Sequence, residues 1–391
     1  MLGLPRPTKL ALVEQALARS PIVALTGPRQ CGKTTLARVI AKRREAMFFD
    51  LEHPTDARRL ENPMTTLEAL KGLVVIDEAQ MHPGLAPVLR VLADRDENPA
   101  TFLLLGSASP DLVKGFSESL AGRIAFVDMS GFDLAETGAQ SWRGLWNRGG
   151  FPRSFLAQNE AASFAWRQDF IKTFLERDLR NMGIQVPAPS LRRLWSMLAH
   201  YHGQVGNAAE IGRSLGESNM TVKRHIDILT GALVVRQLQP WHENLGKRQV
   251  KTPKIYIRDS GLLHALLELH SEAAVDGHPK LGASWEGFCI ENILGFLGER
   301  NAWFWSTHSQ AELDLLVFHR GMRIGFEFKF SDAPGLTRSM HIAREDLKLD
   351  RLMVIYPGAG GSYPLAEWAE VVSIQDLEKK LSGLTDRSVA A

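Results

Sequence analysis

Residues 27–34 read Gly27-Pro28-Arg29-Gln30-Cys31-Gly32-Lys33-Thr34 and meet the pattern G-x-x-x-x-G-K-[ST] at every fixed position. Before them lies a short apolar run, Ile22–Thr26, with the spacing of a buried strand. After them, from Lys33 to about Arg43, the spacing is helical. Strand, glycine-bearing turn and helix in that order constrain the fold more than any other stretch. The glycines let the turn close so that its N–H groups point inward, and the helix adds the positive end of its dipole. Such a cradle suits a chain of phosphates. Lys33 would reach the β- and γ-phosphates, and Thr34 would offer a hydroxyl to Mg2+. The expectation is therefore a site for ATP with Mg2+ formed by Gly27, Pro28, Arg29, Gln30, Cys31, Gly32, Lys33, Thr34 and Thr35. Cys31 is read as a spacer in the loop, not a nucleophile.

Leu73-Val74-Val75-Ile76-Asp77-Glu78 supplies the acids that this chemistry needs. Asp77 should end a strand beside the loop and hold Mg2+ through water. Glu78 should polarise the attacking water as a general base. Two further residues complete the candidate catalytic set of Lys33, Glu78, Ser107 and Arg123. Ser107, at the end of the strand around Phe102–Leu105, is placed to bond the γ-phosphate or the water; the plainer reading is a turn serine. Arg123, in Leu120-Ala121-Gly122-Arg123, could meet charge on its own ATP or a neighbouring subunit's. The plainer reading is a surface arginine.

Met47–Asp50, Leu73–Asp77, Thr101–Leu105 and Ile124–Met129 read as further strands with helices between them, and 9–19 as an amphipathic helix. Buried strands alternating with helices give an α/β class with a mostly parallel sheet. The 391 residues, 45% of them apolar, suffice for several cores. The organisation expected is 1–150 as the phosphate-binding domain, 151–205 as a helical module, 206–270 as a winged-helix module and 271–391 as a second α/β domain. A net charge of +2 gives no overall case for nucleic acid. Cys31 and Cys289 are too few for a disulfide framework, so a reducing, cytoplasmic setting is the default. No signal peptide is visible, and no run approaches the roughly 18 apolar residues of a membrane span.

Residues 207–229 carry helix-turn-helix patterning. Ile211 and Leu215 share a face, Gly216–Asn219 turns, and Val222, Ile226 and Leu229 form the inner stripe of a second helix. Thr221, Lys223, Arg224 and His225 should then point mostly outward. Leu233–Leu238 and Lys254–Arg258 suit wing strands, with Lys247, Arg248, Lys251 and Lys254 as a basic wing for DNA phosphates. Such a module can equally serve only as a scaffold. Trp241 and His242 are read as packing residues.

Near the C-terminus, Asp314 lies in an apolar strand run, and Glu327 and Lys329 share one face of Gly325-Phe326-Glu327-Phe328-Lys329-Phe330. A hairpin between them would bring the acids together, and Glu286 on the preceding helix could face the same point. Two or three carboxylates with a lysine can bind Mg2+ for phosphodiester cleavage; a charged strand face with a salt bridge is the alternative.

In their order, Gly27–Thr35, VVIDEAQ (74–80), LLLGSAS (103–109), SLAGR (119–123), TVKRHIDIL (221–229), KIYIRDSGLL (254–263), WEGFCIENIL (285–294), AELDLLV (311–317) and GFEFKF (325–330) resemble the AAA-type P-loop ATPases with a C-terminal DUF4143 domain. The resemblance spans nearly the full length. It implies an AAA-type core, a winged helix and a C-terminal domain similar to the PD-(D/E)XK restriction-endonuclease fold. It also implies that Asp77 and Glu78 are the Walker B pair, that Thr34 and Asp77 serve Mg2+, and that Glu286, Asp314, Glu327 and Lys329 fall at a nuclease-type metal centre. Three functions follow as expectations: an ATPase coupled to these modules, an ATP-regulated metal-dependent DNA nuclease, or a non-catalytic ATP-switched module that docks a protein. A homo-oligomer is compatible with each.

Overall fold

A computed structural model of the chain describes residues 4–82, 84–95, 100–107, 116, 118–181, 184, 186–243, 249–307 and 311–385. The chain forms two compact units. The first comprises 1–131, 173–186 and 231–234, and the second comprises 132–172, 187–230 and 235–391. The leading stretch of the first unit ends at 131. Residues 132–150 belong with the second unit because their polar groups are satisfied there. Leu134 N donates to Asn292 Oδ1 at 2.9 Å and Trp146 Nε1 to Ser284 Oγ at 3.0 Å.

The first unit is built on β1 (Ile22–Gly27), β2 (Ala46–Asp50), β3 (Gly72–Asp77), β4 (Ala100–Ser107) and β5 (Ile124–Asp128). They form a five-stranded sheet in the order β2-β3-β4-β1-β5, every pair parallel. All six residues of β1 are buried, as the continuous apolar run predicts for a parallel sheet covered on both faces. Val74, Ile76, Phe102 and Leu104 pack with Leu85 and Leu89 of the helix Leu85–Ala93 in one core. Each such buried side chain contributes on the order of 1.5–3 kcal/mol before chain entropy is charged against it. One difference from the sequence reading matters for the site: β4 stands between β1 and β3, so Asp77 is one strand removed from the phosphate loop.

In the second unit, the helices Ala208–Leu215 and Asn219–Gly231 lie in sequence between the first and second strands of a small antiparallel sheet. Its strands are β6 (Gln204–Val205), β7 (Val235–Leu238) and β8 (Lys254–Ile257), in the order β6-β8-β7. The long helix Leu281–Leu297 follows. A mixed six-stranded sheet then uses β9 (Ala302–Ser306), β10 (Glu312–His319), β11 (Met322–Phe328), β12 (Arg351–Tyr356), β13 (Tyr363–Ala366) and β14 (Ala369–Ser373). Its order is β13-β14-β12-β11-β10-β9. Leu313, Leu316, Leu352, Val354 and Val371 pack with Met340, Ala343 and Leu347 of the helix Arg338–Leu347. No helix among the described residues is long and apolar enough to cross a membrane.

Candidate functional site

In the first unit, β1 ends at Gly27 and the helix Lys33–Ala41 begins after Gly32, whose φ of 103° is open only to glycine without strain. A Cβ on Gly27 would overlap the Met129 carbonyl oxygen, so the sheet itself demands a glycine there. Gln30, inside the loop, has a left-handed φ of 63°, and Glu78 one of 53°. Conformations of this kind in non-glycine residues cost free energy and gather at functional sites.

Lys33 is buried, and its ammonium donates to the carbonyls of Gly27 and Pro28 at 2.9 Å each. Thr34 Oγ1 donates to Asp77 Oδ2 at 2.7 Å, which draws the loop and the end of β3 together across β4. Asp77 also accepts from the Glu78 amide at 3.0 Å. Burial holds the Asp77 carboxyl above its ordinary range, against the Thr34 bond. Glu78 is held from two sides. Gln80 donates to one oxygen, and Arg29 Nη2 lies 3.4 Å from the other. Arg29 Nη1 also donates to Asp178 Oδ1 at 2.9 Å, and its fork reaches Glu52. The buried Cys31 thiol sits 3.4 Å from Met129 O, in keeping with a spacer.

The remaining candidates divide. The backbone of Ser107 pairs in register with Gly27, which puts it at the phosphate end of the sheet; its side chain lies outside the described residues. Arg123 lies at the other end. Its carbonyl accepts from Ile22 N, five residues down β1 from Gly27 and so about 17 Å away along the strand. Its guanidinium is paired with Asp94 and donates to Ala121 O at 3.0 Å. Contact with its own chain's nucleotide, one of the two roles expected, is therefore out of reach. Of the family-like block at 103–109, residues 108 and 109 lie outside the described residues.

In the second unit, β10 and β11 are antiparallel with Leu315 opposite Phe326, so Asp314 and Glu327 stand one step further along, facing each other. Phe328 N donates to Asp314 Oδ2 at 3.1 Å, and Lys329 Nζ to Glu327 Oε2 at 2.8 Å. Glu286, on the helix Leu281–Leu297, joins them through an intermediary. Lys254 Nζ lies 3.2 Å from Glu286 Oε1 and 3.7 Å from Asp314 Oδ1, and also pairs with Glu312. Tyr256 OH donates to Glu286 Oε1 at 2.5 Å. Burial first, and then Asp314, holds both Glu286 and Glu327 above the usual carboxylate range.

This corrects the expected basic wing. Lys254 is buried with 4% of its surface exposed and turns inward onto carboxylates, not outward to phosphates. Lys251 is exposed; Lys247 and Arg248 lie outside the described residues. On the second helix of the pair, Lys223 and Arg224 are exposed as expected, but His225 is buried. Trp241 packs on Trp303 and Phe318, with ring centroids 4.8 and 4.7 Å apart, while His242 is exposed.

With these arrangements established, known proteins can be compared. Residues 19–138 match the family model described as an AAA domain. Residues 139–273 and 281–377 match two domains of unknown function, DUF8612 and DUF4143. Uncharacterized proteins of Mycobacterium tuberculosis (strain ATCC 25618 / H37Rv) and Mycobacterium bovis (strain ATCC BAA-935 / AF2122/97) are each 50% identical over 380 residues, covering 97% of this chain and 86% of theirs. The chain belongs to the AAA-type P-loop ATPases with a C-terminal DUF4143 domain. A solved Walker-type ATPase of Pyrococcus abyssi shares the fold, with a TM-score of 0.50 at 15% identity, covering 68% of this chain and 96% of that one.

Within this AAA-type framework, several residues at the two sites carry no motif of their own. Arg6 donates to Cys31 O at 3.0 Å and to Gly131 O at 2.8 Å, bracing the phosphate loop from behind. No pattern in the sequence marks it. Lys254, Tyr256 and Arg258 were legible as one face of a strand by their alternation, but not as partners of a helix. That face meets Glu286, Glu291 and Glu299 of the DUF4143 domain, with Arg258 Nε 3.0 Å from Glu291 Oε2.

The residues of the first unit fit Mg2+: a threonine hydroxyl and a buried aspartate already meet at one point beside a lysine. Those of the acid cluster do not fit as placed. Among the described residues, no group of three or more histidine, cysteine or acidic side chains is arranged to hold a metal ion.

Proposed function

We propose that this chain hydrolyses ATP in a Mg2+-dependent reaction at Gly27–Thr35, with Asp77 and Glu78. The observation that carries the reading is the 2.7 Å bond from Thr34, on the helix after the loop, to Asp77 at the end of β3, which joins the two side chains that would serve the metal. Lys33 would leave the Gly27 and Pro28 carbonyls for the phosphates and hold their charge. Glu78 would take the proton of the attacking water once Arg29 and Gln80 release it. Bound Mg2+ would neutralise charge on the β- and γ-phosphates. Ser107, at the same end of the sheet, is a candidate to orient the water. Labelled-nucleotide binding and phosphate release test this together. Lys33→Ala should lose both. Turnover at the wild-type rate in Lys33→Ala would overturn the assignment.

A second reading, ATP-regulated cleavage of DNA, takes the convergence of Glu286, Asp314, Glu327 and Lys329 as a site that would admit a metal only after Lys254 has left it. The exposed Lys223 and Arg224 of the helix Asn219–Gly231 would then face phosphates. Cleavage of single- or double-stranded DNA with Mg2+ or Mn2+, lost in Glu327→Ala, would establish it. ATPase activity with no cleavage under any condition would leave an ATP-driven switch whose C-terminal domain only binds.

A further inference from the structure

Three acids of the second unit, Glu286, Asp314 and Glu327, whose side chains are 14%, 13% and 6% exposed, require positive charge, because clustered carboxylates cannot stay ionised without it. A divalent metal ion could supply that charge. Here it comes from the chain. Lys254 is carried on β8, outside the DUF4143 domain, and places its ammonium 3.2 Å from Glu286 and 3.7 Å from Asp314. Glu312 closes a third side, and the face of the Phe304 ring lies 5.5 Å from Nζ. Further donors reach the same acids. Tyr256 OH shares Glu286 Oε1 with Lys254, the Phe328 amide donates to Asp314 Oδ2, and Lys329 to Glu327 Oε2. Mg2+ needs oxygens at about 2.0–2.1 Å in near-octahedral array. Here each of the three acids already has an oxygen held by a donor of the chain.

We propose that Lys254 is a built-in counter-ion of the acid cluster and takes the place of the metal, so that the folded chain excludes divalent ions from this site. The neighbouring contacts keep it there. Just past the end of β8, Arg258 reaches Glu291 of the helix that carries Glu286, and Glu299 beyond that helix's end. Arg236 of β7 grips the same two glutamates, with Nη2 3.0 Å from Glu291 Oε2. Lys254 therefore enters the cluster on a strand anchored at several points along the helix, and its position does not depend on a single ion pair. Cleavage at this site would need β8 to withdraw. The inference is independent of the ATPase reading.

The test is Mn2+ binding to the full-length chain, followed by electron paramagnetic resonance without nucleotide. All samples carry Asp77→Ala, so that the phosphate loop contributes no metal site. With Lys254 intact, the chain should bind no Mn2+ that Glu286→Gln removes. Lys254→Met should gain one Mn2+ per chain, and adding Glu327→Gln should abolish the gain. A Glu286-dependent ion in the chain with Lys254 intact would overturn the proposal. So would a folded Lys254→Met chain that gains nothing. Should Lys254→Met not fold, as circular dichroism would reveal, Lys254→Gln takes its place with the same outcomes. The comparison with Lys254 intact decides the matter without either variant.

Discussion

Arg29 Nη2 lies 3.4 Å from Glu78 Oε1, so the proposed base is tethered by a side chain of the phosphate loop itself. The same guanidinium holds Asp178, which belongs to the segment 173–186 of the first unit. A nucleotide that moved Arg29 on entering the loop would therefore also release the base.

Glu78→Gln removes the proton acceptor while keeping shape and the Gln80 contact. Nucleotide binding should stay within a few-fold of wild type, and turnover should fall by about 10²–10⁴, the usual worth of a positioned base. Equilibrium binding of labelled ATP and phosphate release at saturating ATP give the two numbers. Equal loss of both would mean that Glu78 holds the site's structure.

Arg29→Ala leaves Asp178, whose side chain is 5% exposed, without its cation. Removing one partner of a buried pair costs about 3–5 kcal/mol in general. The low end is expected here because Arg29 itself keeps some solvent contact. Denaturant midpoints measure it. Arg29→Lys should recover only part, since an ammonium cannot span Glu52, Glu78 and Asp178 as the fork does.

Arg236 is 9% exposed and joins β7 to Glu291 and Glu299. Arg236→Ala should cost about 3–5 kcal/mol, because Glu291 keeps its charge in a mostly buried place. Arg236→Met, which keeps apolar bulk, should lose less than Arg236→Ala, since Arg258 still meets both glutamates in each variant. A single denaturation series over the three proteins decides it.

His202 and His264 are both neutral in the fold. His202 Nδ1 accepts from Ile257 N at 2.9 Å while Nε2 faces Ala283 O at 3.1 Å. His264 sits between Asn147 O at 3.1 Å and the Ser284 hydroxyl at 2.7 Å. Burial above all pushes each pKa down to about 3 from 6.5. The unfolded chain takes up these protons as pH falls through 6.5 and the fold does not. Stability should then drop by about 1.4 kcal/mol per pH unit for each histidine between 6.5 and about 3. Glu286 and Glu327, held above 4.5, act in the opposite sense, because the fold keeps their protons longer than the unfolded chain. The histidine share is therefore read from the difference between wild type and His264→Asn at pH 7 and pH 5, where the variant should show the shallower loss.

Much of this was legible in the residues. The loop Gly27–Thr34 and the strand ending at Asp77 announce themselves because phosphate chemistry fixes both residue type and spacing. Asp314 and Glu327 could be paired because a hairpin sets which residues face each other. What local pattern could not reveal was order across the sheet. Nothing near Asp77 says that β4 will lie between it and β1. Arg123 looked like a site residue until the register of β5 on β1 put it at the far end. Lys254 was misread for a similar reason. A lysine in a basic stretch resembles a phosphate contact, and only the fold reveals three acids from 286, 312 and 314 gathered behind it. The strands β13 and β14 and the helix Leu377–Thr385 carried too weak a periodicity to be placed.

The two compact units each draw on three separate stretches, and these alternate along the chain, so the backbone passes from one to the other five times. Neither unit can be cut out with a single pair of scissors. A fragment ending at residue 131 would lack Asp178 and leave Arg29 without its buried partner. Segment 173–186 is joined at both ends to stretches of the other unit, so it cannot be freed without cutting the chain twice.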